Sequence, residues 1–135
     1  MLKWRFQHLA YFLTTLIVLS VLLTGCTPPP QAPRLRITNQ GSTAIKSLTI
    51  LFPEDEIEFG DIPVGATTDY EEVPNGVYSY AAYRLWVHGQ IVTIPTIDWV
   101  GEEPMEGSDF TYVLAVDPDR SLLAIVRLVK VFKDE

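Results

Sequence analysis

Between Arg34 and Phe132 no stretch has helical spacing; apolar and polar residues alternate instead, with turn signals about every eight to twelve residues. Strict alternation sends successive side chains to opposite faces, so such a chain must build sheets. Arg34–Thr38 (RLRIT) is the first strand expected, ending at Asn39-Gln40-Gly41-Ser42. Ile45–Phe52 follows with Leu48, Ile50 and Phe52 on one face, and Pro53-Glu54-Asp55 turns the chain. In Glu56–Phe59, Ile57 and Phe59 point one way and Glu56 and Glu58 the other. Residues 60–65 read as a loop and Thr67–Val73 as a strand. Pro74-Asn75-Gly76 is the clearest turn, because Asn-Gly tolerates positive φ at both central positions and suits a tight hairpin. Val77–His88 is the longest strand expected, and Gly89-Gln90 reverses it into Ile91–Ile94. Residues 95–107 are looser and carry Trp99 and four acids. Phe110–Val116 and Leu122–Phe132 close the chain as a hairpin through Asp117-Pro118-Asp119-Arg120.

Seven or eight strands in about 100 residues predict an all-β fold over 34–135, an antiparallel sandwich of immunoglobulin-like or transthyretin-like architecture. A small closed barrel is the alternative. The Cys…Trp…Cys framework of true immunoglobulin domains is missing, so that likeness is one of architecture alone. A chain of this size can bury roughly two-thirds of its surface, enough for one core without staples.

The single cysteine, Cys26, lies between an apolar run and a triple proline. Upstream are a basic start with Lys3 and Arg5, an uncharged stretch from Leu9 to Leu23, and the small residues Thr24 and Gly25. These are the three parts of a secretory signal. As a helix, residues 9–25 would extend about 25 Å, short of a hydrocarbon core of about 30 Å. The run Leu23-Thr24-Gly25-Cys26 resembles the lipobox of bacterial lipoproteins. That resemblance implies cleavage before Cys26 and a diacylglyceryl group on its thiol. It also implies a cell-envelope address, the folded part facing periplasm or exterior. An uncleaved anchor, or ordinary signal cleavage beside an incidental cysteine, are the rival readings. The expected organisation is a signal helix over 1–25, a lipidated linker over 26–33 and the sandwich over 34–135. Pro28, Pro29, Pro30 and Pro33 favour an extended, stiff stalk at about 3.1 Å per residue.

The whole chain has a net charge of −7. Residues 1–25 hold two of its ten Lys and Arg and none of its 17 acids, so the remainder stands near −9. A chain so acidic does not bind phosphate backbones by counterion release, which excludes nucleic acid as a partner. The charge serves solubility and, weakly, cationic partners.

Chemistry is scarce beyond residue 26. The one histidine there is His88, read as a strand-end residue beside Gly89. No serine sits in a G-x-S-x-G context, and no second thiol exists for a metal site or nucleophile. No catalytic residue, metal ligand or cofactor is assigned. Glu54, Asp55, Glu56, Glu58, Glu71, Glu72, Glu102, Glu103, Glu106, Asp117 and Asp119 sit in turns or on outward strand faces. A hydrolase using a pair of them is one alternative, and needs one acid with a raised pKa. A calcium-stabilised adhesion module is another; Asp117-Pro118-Asp119 begins like a calcium loop but lacks the next acid and glycine. Turn chemistry explains Pro-Asp there without a metal.

The aromatics offer one lead. Alternation along 77–88 puts Tyr78, Tyr80, Arg84, Trp86 and His88 on one ribbon, opposite an ordinary core face. Exposed, that ribbon would be a face for an envelope protein or a glycan, since Tyr, Trp and Arg dominate interface hot spots. Otherwise the rings cover the second side of the sandwich or fit beneath the 95–107 loop. The function expected is thus a lipid-anchored, non-enzymatic binding or scaffolding module.

Overall fold

Which elements the alternation produces is seen in a computed structural model that describes residues 30–134 apart from Ile97. The signal segment and Cys26 lie outside the described residues. Eight strands form: β1 (Arg34–Asn39), β2 (Ile45–Leu51), β3 (Glu56–Ile62), β4 (Glu71–Glu72), β5 (Ala82–Val87), β6 (Gln90–Ile94), β7 (Asp109–Val116) and β8 (Val126–Asp134). They make two four-stranded sheets, ordered β4-β1-β7-β8 and β3-β2-β5-β6. Each sheet keeps two open edges, so the fold is a sandwich and not a closed barrel.

Period two decides what lies between the sheets. Leu35 and Ile37 of β1, Leu48 and Ile50 of β2, Tyr83, Leu85 and Val87 of β5, and Phe110, Tyr112, Leu114 and Val116 of β7 are all buried there. Fully burying a side chain of the Phe or Leu class contributes about 1.5–3 kcal/mol, and this alternating set supplies most of that drive. Asn39, fully buried at the end of β1, is satisfied on every side. Its amide donates to Thr43 O (2.9 Å) and Ile62 O (3.1 Å), and its Oδ1 accepts from Gly41 N (3.0 Å). That side chain ties the β1–β2 loop to the end of β3.

Six local expectations change, the first being Thr67–Val73, which forms only the two-residue strand β4 and an isolated bridge from Thr67 to Thr38. The β1–β7 pairing is parallel, alone among the ladders. The chain builds the whole second sheet between these strands, so no short hairpin dictates their relative direction. The Pro74-Asn75-Gly76 turn forms, with Gly76 N on Val73 O at 3.0 Å, but it links the two sheets and does not close a hairpin. Val73 and Val77 are both fully buried, and so the chain crosses between layers at this point. The long strand expected from Val77 starts only at Ala82, because backbone groups before it are used elsewhere. Val77 O accepts Met105 N (2.7 Å), and Tyr78 O accepts the Tyr112 hydroxyl. Residues 60–62 extend β3 where a loop was expected, opposite paired bulges in β2 and β3. Ser47 takes φ +50° in the β2 bulge, where Asp61 receives Ser47 N (2.9 Å) and Lys46 Nζ (2.7 Å). Leu122–Ala124 is a single 3-10 turn, and strand β8 begins after it.

Candidate functional site

Tyr78 and Tyr80 precede β5 and join the following loop instead of extending the β5 ribbon. Tyr80 stacks on Trp99 with ring centroids 5.1 Å apart and 15° between the planes. Its hydroxyl donates to Asp98 O at 2.7 Å. Tyr78 meets the same indole edge-on at 5.3 Å and tilts against Phe52 at 5.6 Å. Phe52 in turn stands edge-on to the fully buried Tyr112 ring. Partial burial, then Glu102 and Asp98, push the Tyr80 phenol up, so it stays a neutral donor. Of the two readings of these tyrosines, the geometry is that of rings held beneath the 95–107 loop.

Arg84 and Trp86 do share the outward face of β5, since Tyr83, Leu85 and Val87 point inward. The ladder sets Arg84 between Thr49 of β2 and Thr93 of β6, and Trp86 opposite Ile91. Trp86 is 47% exposed and Ile91 59% exposed, which makes a two-residue apolar ridge at the open side of the second sheet. Arg84 forks onto Glu56 at 3.1 and 3.2 Å. Hydrogen bonding and the positive charge of Arg84 hold the Glu56 carboxyl below its usual range. A large ring on an exposed strand face, beside a planar cation, is the kind of pairing that binds proteins and glycans.

The outer face of the first sheet carries a polar network that sequence reasoning missed. Arg34 forks onto Asp109 at 2.8 and 2.7 Å. Arg36 donates to Thr111 (2.9 Å) and lies 3.5 Å from Asp134. The Tyr70 ring lies under both guanidinium groups, at 5.0 and 4.7 Å, and its hydroxyl donates to Asp134 at 2.7 Å. A shallow groove of about 530 Å³ runs beside this network, lined by Arg36, Thr38, Thr111, Val113, Phe132 and Asp134. The two carboxylates sit across from each other in the β7–β8 ladder. The hydrogen bond from Arg34 lowers the Asp109 pKa. Burial alone would raise Asp134, but bonds from Thr111 and Tyr70 and the nearby Arg36 outweigh it and hold the group low. Both are ionised at neutral pH, the opposite of what a proton donor in a carboxylate pair requires. Their geometry is that of an ion cluster bracing the sheet.

The remaining acids follow local chemistry. Asp117 receives Arg120 Nε (3.0 Å) and Asp119 N (3.3 Å), and Asp98 caps Val100 N (2.8 Å). Glu71 and Glu72 are exposed on β4. His88 turns the chain at φ +48°, with Nε2 3.1 Å from Pro118 O and 3.8 Å from Asp119. Among the described residues, no three of the His, Cys, Asp and Glu side chains come together as a metal cage. The lipidation candidate Cys26 lies outside the described residues. Compared with known proteins, the chain matches no family model, and no curated protein or solved structure is significantly similar to it.

Proposed function

We propose that this chain is a lipid-anchored protein of the bacterial cell envelope whose folded part is a non-enzymatic binding or scaffolding module. The lipobox-like run ending at Cys26, the basic and apolar segments before it and the proline-rich stalk after it support the anchor. Two or more acyl chains on one residue hold a protein stably, whereas one does so only marginally. The observation that carries the binding role is the Trp86–Ile91 pair, two large apolar side chains left half exposed opposite each other on a rigid sheet. Trp and Arg are the residue types that dominate interaction hot spots, and here a half-exposed Trp, an exposed Ile and an Arg share one sheet face. The partner is an envelope protein or a glycan.

Two variants test the two halves separately. Cys26→Ser is expected to release the protein from the membrane fraction or to leave the precursor unprocessed; unchanged anchoring and processing would rule out the lipid. Trp86→Ala with Ile91→Ala is expected to abolish capture of a partner from native membranes while shifting stability by no more than about 1 kcal/mol. Retained capture would remove the ridge from the proposal, and a large loss of stability would identify it as part of the fold's support.

A further inference from the structure

A strand at the edge of a sheet offers a row of unpaired backbone N–H and C=O groups to any extended chain that reaches it. β8 is such an edge. It pairs with β7 on one side and with no strand on the other among the described residues.

The cations are distributed unevenly around the fold. Eight Lys and Arg follow residue 25. Arg34, Arg36, Lys46, Arg84 and Arg120 each meet a carboxylate at 2.7–3.5 Å. The other three, Arg127, Lys130 and Lys133, are all exposed on β8 and pair with no acid among the described residues. Register opposite Ala115 and Val113 places Arg127 and Lys130 on the outer face of the sheet, a bulge between them keeping both on that side. Lys133, opposite the buried Phe110, turns the other way. Val129 and Phe132, each 40% exposed, stand among them, with the Lys130 ammonium 4.0 Å over the Phe132 ring. The acids nearest in the ladder, Asp109 and Asp134, are already matched by Arg34 and Arg36.

We propose that the β8 edge docks an extended acidic segment of a partner protein, which adds to the first sheet as a fifth strand. Main-chain hydrogen bonds to the open edge supply affinity, and alternating side chains supply selectivity. Carboxylates on the outer side of the incoming strand meet Arg127 and Lys130 beside Phe132, while its apolar side chains fall on the inner side, next to the partly buried Leu128 and Val131. Charge complementarity selects this occupant. A second copy of the chain would bring two cationic strips together, on top of the repulsion between two strongly acidic chains. Screening beyond about 8 Å at physiological salt lets the local strip outweigh the negative charge of the rest. This goes beyond the Trp86–Ile91 ridge, and its test reads a different strand.

The full-length protein in detergent is titrated with three synthetic peptides of about ten residues, long enough to cover the strand. One alternates Glu with Val, the second replaces Glu by Lys, and the third keeps the Glu residues but carries Pro at every other Val. Binding is followed by calorimetry and by hydrogen exchange. The Glu–Val peptide is expected to bind and to slow exchange within 126–134, and the other two are not. High salt, or Arg127→Gln with Lys130→Gln and Lys133→Gln, should weaken its Kd at least about tenfold. Equal binding of the proline-bearing peptide would overturn the proposal, because charge alone would then suffice, as for a flexible polyanion. So would binding without protection of 126–134. No binding at about 1 mM, a standard free energy near −4 kcal/mol, would overturn it too and leave the lysines as guards against edge-to-edge aggregation. If the triple variant does not fold, Lys130→Gln and the salt series on the unaltered protein decide the same question.

Discussion

Tyr80 lies flat on Trp99, the ring centres 5.1 Å apart, and so fastens the segment before β5 to the loop after β6. Aromatic pairs of this kind contribute about 0.5–1.5 kcal/mol beyond the area they bury. Trp99→Ala is expected to cost about 2 kcal/mol, since the indole also supports Tyr78, and Tyr80→Ala about 1 kcal/mol. A double-mutant cycle in urea should return a coupling of about 0.5–1.5 kcal/mol. Additive losses would mean that the stack carries no energy of its own.

Gly76 and Gly60 separate two costs of adding a methyl group. Both have positive φ, +101° and +66°, but a Cβ on Gly76 would lie 2.5 Å from Pro104 Cβ, whereas nothing approaches one on Gly60. Gly60→Ala should cost about 1 kcal/mol for backbone strain alone. Gly76→Ala should cost at least about 1 kcal/mol more, because the 95–107 loop has to move aside. Equilibrium unfolding of the two variants side by side checks the difference.

Asn39→Ala removes the amide that serves Thr43 O, Ile62 O and Gly41 N. Buried groups left without partners cost about 1–3 kcal/mol each, so a loss of at least 2 kcal/mol is expected in a thermal or denaturant melt. A smaller effect would mean that water reaches the vacated carbonyls.

Acid should loosen the ion cluster that braces the first sheet. The Asp109 and Asp134 carboxyls are held below their unfolded values, so they bind protons less readily when folded than when unfolded. Their contribution is fully present above the unfolded pKa, about 4, and is lost as pH falls through the lower folded values. Stability measured from pH 7 down to 2 should therefore fall below about pH 4, and less steeply in Asp109→Asn with Asp134→Asn. Equal slopes would show that these two groups do not govern the acid limb.

Local pattern made the layers readable, and long-range pairing hid the rest. Ile57 against Glu56 and Glu58, or Leu85 against Arg84 and Trp86, reveal which way a side chain faces because alternation is a property of neighbours. The outward placement of Arg84 and Trp86 could be read in this way. Tyr78 could not, because its direction depends on where Tyr112 and Met105 find backbone acceptors, some 30 residues further along. The Arg34–Asp109 fork joins residues 75 apart, and the parallel β1–β7 register that creates it leaves no mark in either strand. The two alternating arginines of RLRIT were a signal that could have marked this face, though not its partners. The interlayer crossing at Asn75-Gly76 shows the same limit: turn chemistry fixes a reversal, while burial of Val73 and Val77 decides which sheet receives the chain.

Running β1 and β7 in the same direction, with β8 returning beside them, has a geographic result. Arg34, where the folded unit begins, and Asp134, near its finish, come to the same pole of the first sheet, in step with Asp109. Attachment to a support, a fluorophore or a fused protein at either extremity would therefore load that one pole. The opposite pole carries the loops around Gly41 and Leu123, which border a hollow of about 490 Å³.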